Sequence, residues 1–404
     1  MNLKFVRLID TYAGIPLLYG AALLRRLSGK PPLSGPPRGP ARILCVKFWG
    51  VGNLFMMLPA VEALKRQFPQ AAIDLLTLRT SRDAAAMTRM FDTLHTIDTE
   101  SLASFLSSTV TCLAGLRRQD YHLVIDFEQF AKFSALLCSL IGAGETIGYD
   151  TADQERHFLY SKTVAYDNTV HITRSYFALA VAAGATCDAD DLLRSFRWTP
   201  SVQALPQSVR QRLGIPTGRQ LIAMHVGTSD NFKERRWPAE YYAALADLLV
   251  SRHQKMVVLT GLAEEAPLAA RVLGAVRRRE GVVDASGKLG FDEFLALLAE
   301  SELVISSDTA PVHMASAMAV PVVGLYGPNT PRLYGPWRQS GLACSRFFAC
   351  SPCITNFNAK THDCRHPEGK GSCMTALLPD EVYRAVKEKY LDHQAGERSD
   401  PCIV

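Results

Sequence analysis

One stretch of this chain has the residue types and spacing needed to bind an anion. In Ser306–Ala315, Asp308 and Thr309 precede Pro311, and His313 follows one helical turn later. Asp and Thr cap helices and Pro suits a first turn, so we expect a helix whose start presents free amides and a positive dipole end. Such a terminus binds anions, and His313 adds a donor. The alternative is an ordinary capped turn without a ligand.

A pair of carboxylates forms a second group. Asp126 ends the apolar run 123–125, and Glu128 follows two residues later. In a parallel sheet both side chains would point into the same crevice as Asn53, at the carboxyl ends of the strands.

A third group is a cluster of thiols near the C-terminus. Two thiolates three positions apart, with two more within about twenty residues, can surround a tetrahedral zinc ion. His362 and His366 are spare ligands. The spacing lacks the second close pair of a zinc ribbon, so a structural thiol cluster without metal is the alternative. The predicted metal ligands are Cys350, Cys353, Cys364 and Cys373.

Length and composition limit the kind of protein that must position these groups. A chain of 404 residues is too long for one core, so we expect two domains with additions. Hydrophobic residues at 48% and charged residues at 21% are typical of a globular protein. Residues 1–40 hold six Lys or Arg and one Asp, which accounts for the whole net charge of +5. The neutral remainder predicts no nucleic-acid partner.

The first forty residues differ from the rest. Residues 1–29 alternate apolar clusters with basic residues, and Gly14 and Pro16 interrupt them. We interpret this segment as a basic amphipathic element on an anionic membrane surface. The equally weighted alternative is a helix packed on the protein's own body, and a signal peptide is a weaker one. Residues 31–40 are rich in proline and form a linker.

A strand–turn–helix pattern begins at Arg42. A strand over 43–48, a glycine-containing turn over 49–53 and a helix over 54–68 precede a second strand over 73–78. Alternating strands and helices with short loops predict an α/β fold with a doubly wound parallel sheet. Gly50 and Gly52 bring backbone close to a ligand, but the third glycine of a dinucleotide fingerprint is missing.

A second series follows a Pro-, Gln- and Ser-rich stretch over 200–218. It predicts strands over 221–226 and 256–260, with helices over 239–251, 264–279 and 291–300. Two neutral α/β halves with an interior cleft suit a donor–acceptor enzyme. The predicted domains are an extension at 1–40, an acceptor domain at 41–205, a donor domain at 206–390 that includes a Cys-rich module at 344–373, and a polar tail at 391–404.

Several motifs resemble those of the heptosyltransferases, glycosyltransferase family 9, and they occur in the family's order along the chain. They cover roughly residues 42–390, and each is weak when taken alone. They are Val46–Asn53 with Leu58-Pro59-Ala60, Arg235-Arg236-Trp237-Pro238, Thr260-Gly261 with Glu265, Gly287-Lys288, Asp308–His313 and Gly324–Pro328.

The resemblance implies a GT-B architecture, with two Rossmann-like domains facing across a cleft. It implies inverting transfer of heptose from ADP-heptose to a lipopolysaccharide core or other lipid-linked glycan, without an essential metal, at the cytoplasmic face of the inner membrane. One alternative is a sugar-nucleotide-binding homologue whose transferase activity is lost or altered. Another is a transferase that uses a different nucleotide sugar, for O-antigen or exopolysaccharide, and an epimerase of the same fold is a further one.

The resemblance also assigns roles. The family usually has Asp where this chain has Asn53, and an amide cannot accept a proton at neutral pH. We therefore expect Glu128 or Asp126 to be the base, with Asn53 positioning the acceptor; in the alternative, Glu128 is a solvated loop residue and Asn53 a helix cap. Gly50, Gly52 and Lys132 are assigned to the acceptor side. The donor-binding residues are Thr228, Lys233, Arg235, Glu265, Asp308, Thr309, Ala310, Val312 and His313.

Overall fold

The computed structural model describes residues 16, 18–20, 42–228, 230–355, 364 and 366–392, without the side chains of 230–232. The chain divides into two compact units, Met1–Leu192 and Leu193–Val404. Most of the predicted N-terminal extension, the tail from residue 393 and His362 lie outside the described residues.

The first unit contains a six-stranded parallel sheet with the strand order β3-β2-β1-β4-β5-β6. Short βα connections and apolar strands favour this arrangement, because a parallel sheet is covered on both faces. The strands are β1 (Arg42–Val46), β2 (Ala72–Leu78), β3 (Leu94–Ile97), β4 (Leu123–Asp126), β5 (Glu145–Asp150) and β6 (Lys162–Ala165).

The helices of this part of the chain connect those strands. The Ser101 hydroxyl accepts a hydrogen bond from the Ser104 amide and so caps the third helix. The helices are α1 (Val51–Gln67), α2 (Arg82–Thr88), α3 (Leu102–Arg117), α4 (Lys132–Ile141), α5 (Ile172–Ala182) and α6 (Ala189–Ser195), the last of which runs across the division between the units.

The second unit repeats this design, with the strand order β12-β11-β10-β7-β8-β9. Its strands are β7 (Leu221–His225), β8 (Met256–Thr260), β9 (Val282–Asp284), β10 (Leu303–Ser307), β11 (Val322–Tyr326) and β12 (Gly341–Ser345). Its helices are α7 (Gln207–Leu213), α8 (Ala239–His253), α9 (Ala266–Ala275), α10 (Phe291–Glu300), α11 (Ala310–Met318), α12 (Pro331–Tyr334), α13 (Ser372–Thr375) and α14 (Pro379–Val386).

In each sheet the strand order reverses at the strand that comes first in the sequence of that unit. β1 lies between β2 and β4, and β7 lies between β8 and β10. Ligands of doubly wound folds bind outside the carboxyl ends of the strands at such a switch point. The loops that follow β1 and β4, and those that follow β7 and β10, are therefore the places where each unit is built to bind.

The first helix differs in one detail from the sequence expectation. It begins at Val51 rather than at residue 54, and Gly50 is its N-cap with a φ of 86°. Asn53 therefore lies in the first turn of the helix and is not its cap. A glycine at position 50 suits this positive φ.

Part of the N-terminal extension packs on the first unit. Leu18 is fully buried in a core cluster with Phe48 and Leu159, and the Tyr19 ring stacks on Phe158 with centroids 5.0 Å apart. For these few residues the structure shows packing on the protein's own body. Binding of the extension to a membrane stays a prediction.

Candidate functional site

The switch point of the first unit is organised by Glu128. Its Oε1 atom lies 2.8 Å from Nζ of Lys47 and accepts hydrogen bonds from the amides of Phe48, at 2.7 Å, and Trp49, at 3.0 Å. The described residues give its Oε2 atom no hydrogen bond. Glu128 is 5% exposed. It is therefore not a solvated loop residue, because one oxygen holds the loop after β1 in place.

Asp126 lies beside Glu128 in sequence but has a different environment. It is fully buried, and its Oδ2 atom accepts hydrogen bonds from Arg156 Nη2 and from the Tyr160 hydroxyl, both at 2.6 Å. Its Oδ1 atom accepts the Glu128 amide at 2.9 Å. Burial raises the pKa of Asp126, and the Arg156 charge opposes that rise. Since both oxygens are engaged, these contacts favour a role in holding the end of β4.

Gly50 and Asn53 follow the residues whose amides Glu128 accepts, at the start of α1. The Asn53 amide donates from Nδ2 to the Trp49 carbonyl at 3.2 Å. A Cβ at position 50 would lie 2.7 Å from that nitrogen, so a side chain there would displace Asn53. Gly50 is thus required both by its positive φ and by this close approach.

The other two acceptor-side residues lie on helices. Gly52 is buried in the first turn of α1. Lys132 is the first residue of α4, is buried, and donates from Nζ to Gln154 Oε1 at 3.4 Å. Their contact with an acceptor stays a prediction.

The switch point of the second unit is organised by Asp308, at the end of β10. Its Oδ2 atom accepts a hydrogen bond from Asn329 Nδ2 at 2.7 Å and lies 3.2 Å from Arg235 Nη1. Arg235 also donates to the Asp308 carbonyl. Asp308 is 4% exposed and Arg235 is half-buried. The carboxylate therefore holds the guanidinium at the point where the next helix begins.

That helix is α11, which begins one residue after Thr309. Thr309 is the N-cap by position, although its side chain makes no capping hydrogen bond and its Oγ1 lies 2.9 Å from Ser306 Oγ. Ala310 and Pro311 form the start of the helix. Pro311 has no amide hydrogen, and the Val312 amide donates to the Thr309 carbonyl at 3.1 Å. The groups that this helix start offers to an anion are therefore the Ala310 amide, the positive dipole end and nearby Arg235.

Val312 and His313 line the buried side of the first turn of α11. Val312 is fully buried and His313 is 4% exposed. The His313 ring stacks on Trp337, with centroids 6.4 Å apart and planes 14° apart. This stack fixes the imidazole within one turn of the helix start.

The loop after β7 supplies Thr228 and three basic residues. Arg236 donates from Nε to Thr228 Oγ1 and from Nη2 to the Thr228 carbonyl, each at 2.9 Å. Thr228 is buried, and Lys233 is exposed. Arg236 therefore orients Thr228, while Arg235, the preceding residue, contacts Asp308.

Glu265 lies in the connection between β8 and α9, at the end of the short 3₁₀ turn Ala263–Glu265. Its Oε2 atom accepts the Leu262 amide at 2.8 Å. A Cβ at Gly227 would lie only 1.8 Å from the same oxygen, so the carboxylate occupies the space that this glycine leaves. Arg236, Glu264 and Glu265 line a cavity of about 250 Å³.

The four predicted metal ligands lie in the second unit. Cys350, Cys353, Cys364 and Cys373 are free thiols, and all four line one small cavity of about 10 Å³. The described part of the chain contains no group of three or more His, Cys, Asp or Glu side chains already placed to hold a metal ion. The zinc assignment therefore stays a prediction.

Sequence reasoning did not identify three residues that support the two switch points. Lys47 pairs with Glu128, Arg236 orients Thr228, and Asn329 binds Asp308. Lys47 and Arg236 stand inside the motifs that carry the resemblance, and Asn329 directly follows the Gly324–Pro328 motif. Their positions inside or beside those motifs were the available signal.

The sequence of the chain matches a family model and known proteins. The family model "Glycosyltransferase family 9 (heptosyltransferase)" matches residues 111–362, more than half of the chain. Lipopolysaccharide heptosyltransferase 3 of Escherichia coli K12 is 22% identical over 355 residues, which cover 85% of this chain and 96% of that protein.

Two solved structures show the same fold. A family 9 glycosyltransferase from Veillonella parvula aligns with a TM-score of 0.68 at 20% identity, over 88% of this chain and 98% of that one. The Escherichia coli ADP-heptose lipopolysaccharide heptosyltransferase II aligns with a TM-score of 0.65 at 19% identity, over 88% of this chain and 100% of that one. The GT-B fold inferred from the sequence is confirmed.

No helix among the described residues combines the length and the apolar character needed to cross a bilayer.

The family model, the relatives and the shared fold agree with the motifs in the sequence. This chain belongs to glycosyltransferase family 9, the heptosyltransferase family, and is a glycosyltransferase.

Proposed function

We propose that the protein transfers a heptose from ADP-heptose, with inversion, to a sugar hydroxyl of a lipopolysaccharide core or another lipid-linked glycan. The observation that carries this proposal is the contact of Arg235 with Asp308 at the start of α11. It supplies a fixed positive charge beside a helix N-terminus, which suits a diphosphate. The similarity to the heptosyltransferases described above suggests the sugar and the kind of acceptor.

The donor diphosphate is proposed to lie at the start of α11, near Thr309 and Ala310. Negative charge builds on ADP as the bond to the sugar breaks, and the amides of the helix start stabilise that charge. Arg235 and Lys233 neutralise it further, and Thr228 donates a hydrogen bond. Asp308 does not contact the phosphates in this scheme, because its role is to hold Arg235 and Asn329.

The nucleoside is proposed to lie beside Glu265. Its carboxylate faces the carboxyl ends of β7 and β8 and is of the right chemistry to accept hydrogen bonds from ribose hydroxyls. The cavity of about 250 Å³ that Glu265 and Arg236 line offers space beside it. Gly227 is needed here because any larger residue would push the carboxylate away.

Glu128 is proposed as the general base. Its Oε1 atom is occupied by Lys47 and two amides, which leaves Oε2 to accept the proton of the acceptor hydroxyl. Asn53 orients that hydroxyl. Asp126 is the weaker candidate, since both of its oxygens already accept hydrogen bonds.

The acceptor implies where the reaction takes place. A lipid-linked glycan presents its sugar at a membrane surface, and nucleotide sugars are cytoplasmic metabolites. We therefore place the protein at the cytoplasmic face of the inner membrane, with the basic segment at residues 1–29 attracted to anionic lipid.

The test is a transfer assay with the purified full chain. ADP-heptose is supplied with and without a lipopolysaccharide core that lacks heptose, and UDP- and GDP-sugars are run in parallel. We expect ADP release that requires both the heptose donor and the acceptor, and a product of inverted anomeric configuration by NMR. Release that does not depend on acceptor, donor binding without release, or turnover with a different nucleotide sugar would overturn this proposal.

A further inference from the structure

Four thiols surround a space of the size of a single ion. Cys350, Cys353, Cys364 and Cys373 line the cavity of about 10 Å³. That volume is about that of one bound water. The four residues come from two separate stretches of sequence, so the fold, and not only their spacing, brings them to one place.

A backbone donor is aimed at one of the sulfurs. The Gly371 amide donates to Cys364 Sγ at 3.5 Å. His366 also lines the cavity, and its Nδ1 atom accepts the Glu368 amide at 3.2 Å.

The cavity adjoins the residues proposed to hold the donor. Glu234 and Pro328 are among the residues that line it. Glu234 directly precedes Arg235, and Pro328 directly precedes Asn329, so each adjoins a residue that binds Asp308. The Ile354 amide donates to the Pro328 carbonyl at 2.8 Å.

Contacts on the other side of the cavity are equally close. A Cβ at Gly327 would lie 2.7 Å from Cys373 Sγ. Cys373 itself belongs to the core cluster of the second unit. The thiol cluster is therefore packed between that core and the Gly327–Asn329 turn.

We propose that Cys350, Cys353, Cys364 and Cys373 form a tetrathiolate site for one thiophilic divalent cation, and that the bound ion fixes the Gly327–Asn329 turn and the segment that carries Arg235. Zinc and ferrous iron share this chemistry. The sulfurs, which do not form a closed ligand set as placed, would converge to about 2.3 Å from a bound zinc ion and release their protons. The second part of the inference rests on the proposed donor site.

The first experiment measures metal in the full chain, purified without added metal or chelator. We expect about one equivalent of zinc or iron per chain by elemental analysis, which also distinguishes the two metals. Cys353→Ser and Cys373→Ser should each lose most of the metal, while the control Cys187→Ser keeps it. A metal-free wild type that also fails to take up added Zn²⁺ or Fe²⁺, or a Cys350–Cys353 disulfide found in its place, would overturn the site.

The second experiment uses wild-type protein, so that misfolding of a variant cannot mimic the result. Metal is removed by chelation, and hydrogen exchange is followed in peptides covering 327–330 and 230–236. After metal removal we expect exchange to become faster in these peptides than it was before, with a smaller effect in β1–β4. We also expect the KM for the donor to rise several-fold, with a smaller change in kcat. Unchanged exchange and KM after metal loss would refute the positioning role. Failure of ADP-heptose as a donor would instead refute the proposed function and leave the metal result standing.

Discussion

The Oε1 atom of Glu128 lies 2.8 Å from Nζ of Lys47, and both side chains are nearly fully buried. The pair joins the ends of β1 and β4, the two strands at which the order of the first sheet reverses. In the second sheet Arg235 and Asp308 join the loop after β7 to the end of β10 in the same way. Each unit thus has an ion pair at its switch point.

Glu128→Gln tests the proposed base. Glutamine keeps an oxygen that can accept the amides of Phe48 and Trp49, but it cannot take a proton. We expect kcat to fall by about 10²- to 10⁴-fold, with little change in donor affinity, because a positioned base contributes that much. Steady-state kinetics with an ADP-release readout measure this.

The matched control is Asp126→Asn, which changes the neighbouring carboxylate. We expect Asp126→Asn to lower mainly the free energy of unfolding, with a smaller effect on the kcat of the folded protein. If Glu128→Gln turned over at the wild-type rate with unchanged binding, Glu128 would be an anchor for the loop and nothing more.

Arg235→Met tests the donor site. Removing a charged partner of a diphosphate costs about 1.5–3 kcal/mol, so we expect the KM for the donor to rise about 10- to 100-fold. The KM of Arg235→Lys should lie between those of the wild type and Arg235→Met, since lysine keeps the charge and loses the planar fork. Arg212→Met, which removes an exposed pair with Glu293, is the control and should leave KM unchanged. Equal KM values for Arg235→Met and wild type would contradict the assignment.

Arg156→Met tests the buried cluster at the end of β4. Arg156 and Asp126 are both fully buried, and breaking such a pair leaves an uncompensated charge. We expect the free energy of unfolding to fall by about 3–5 kcal/mol, measured by urea denaturation. The double variant Arg156→Met/Asp126→Leu should recover part of that loss. A single variant as stable as wild type would show that the pair is not needed for folding.

Gly227→Ala tests the position of Glu265. The added methyl would lie 1.8 Å from Glu265 Oε2, so the carboxylate must move. We expect weaker nucleotide binding by calorimetry, by about tenfold, as for the loss of one hydrogen bond to a charged group. Gly274→Ala, within α9, meets nothing within 4 Å and serves as the control. Equal nucleotide affinity in Gly227→Ala and Gly274→Ala would show that Glu265 does not contribute to donor binding.

His225 predicts how stability depends on pH. Burial lowers its pKa from 6.5 to about 4, and its Nδ1 lies 3.1 Å from Thr260 Oγ1. The unfolded chain binds a proton at this residue below pH 6.5, whereas the folded chain does so only near pH 4, so stability is lost as the pH falls through this window. His225→Asn should remove a loss on the order of 2 kcal/mol between pH 7 and pH 4.5. If the free energy of unfolding changed equally with pH in the wild type and in His225→Asn across that range, this prediction would be refuted.

Much of the fold follows from patterns within short windows of sequence. β4 (Leu123–Asp126), β8 (Met256–Thr260) and α10 (Phe291–Glu300) have the bounds expected from apolar periodicity. Alternation of strands and helices was enough to predict parallel sheets, because parallel neighbours need a crossover connection, which is usually a helix. The start of α11 was also predictable, since Thr309 and Pro311 determine a helix start locally.

The roles of the two first-unit carboxylates were decided only by the tertiary structure. Asp126 and Glu128 are two residues apart and look alike in the sequence, yet one is tied to Arg156, 30 residues later, and the other to a loop 80 residues earlier. The same is true of Asn329, which meets Asp308 from 21 residues away. Local propensity determines which segments become strands and helices. Side-chain partners depend on the order in which distant strands pair, and short-range patterns carry no information about that order.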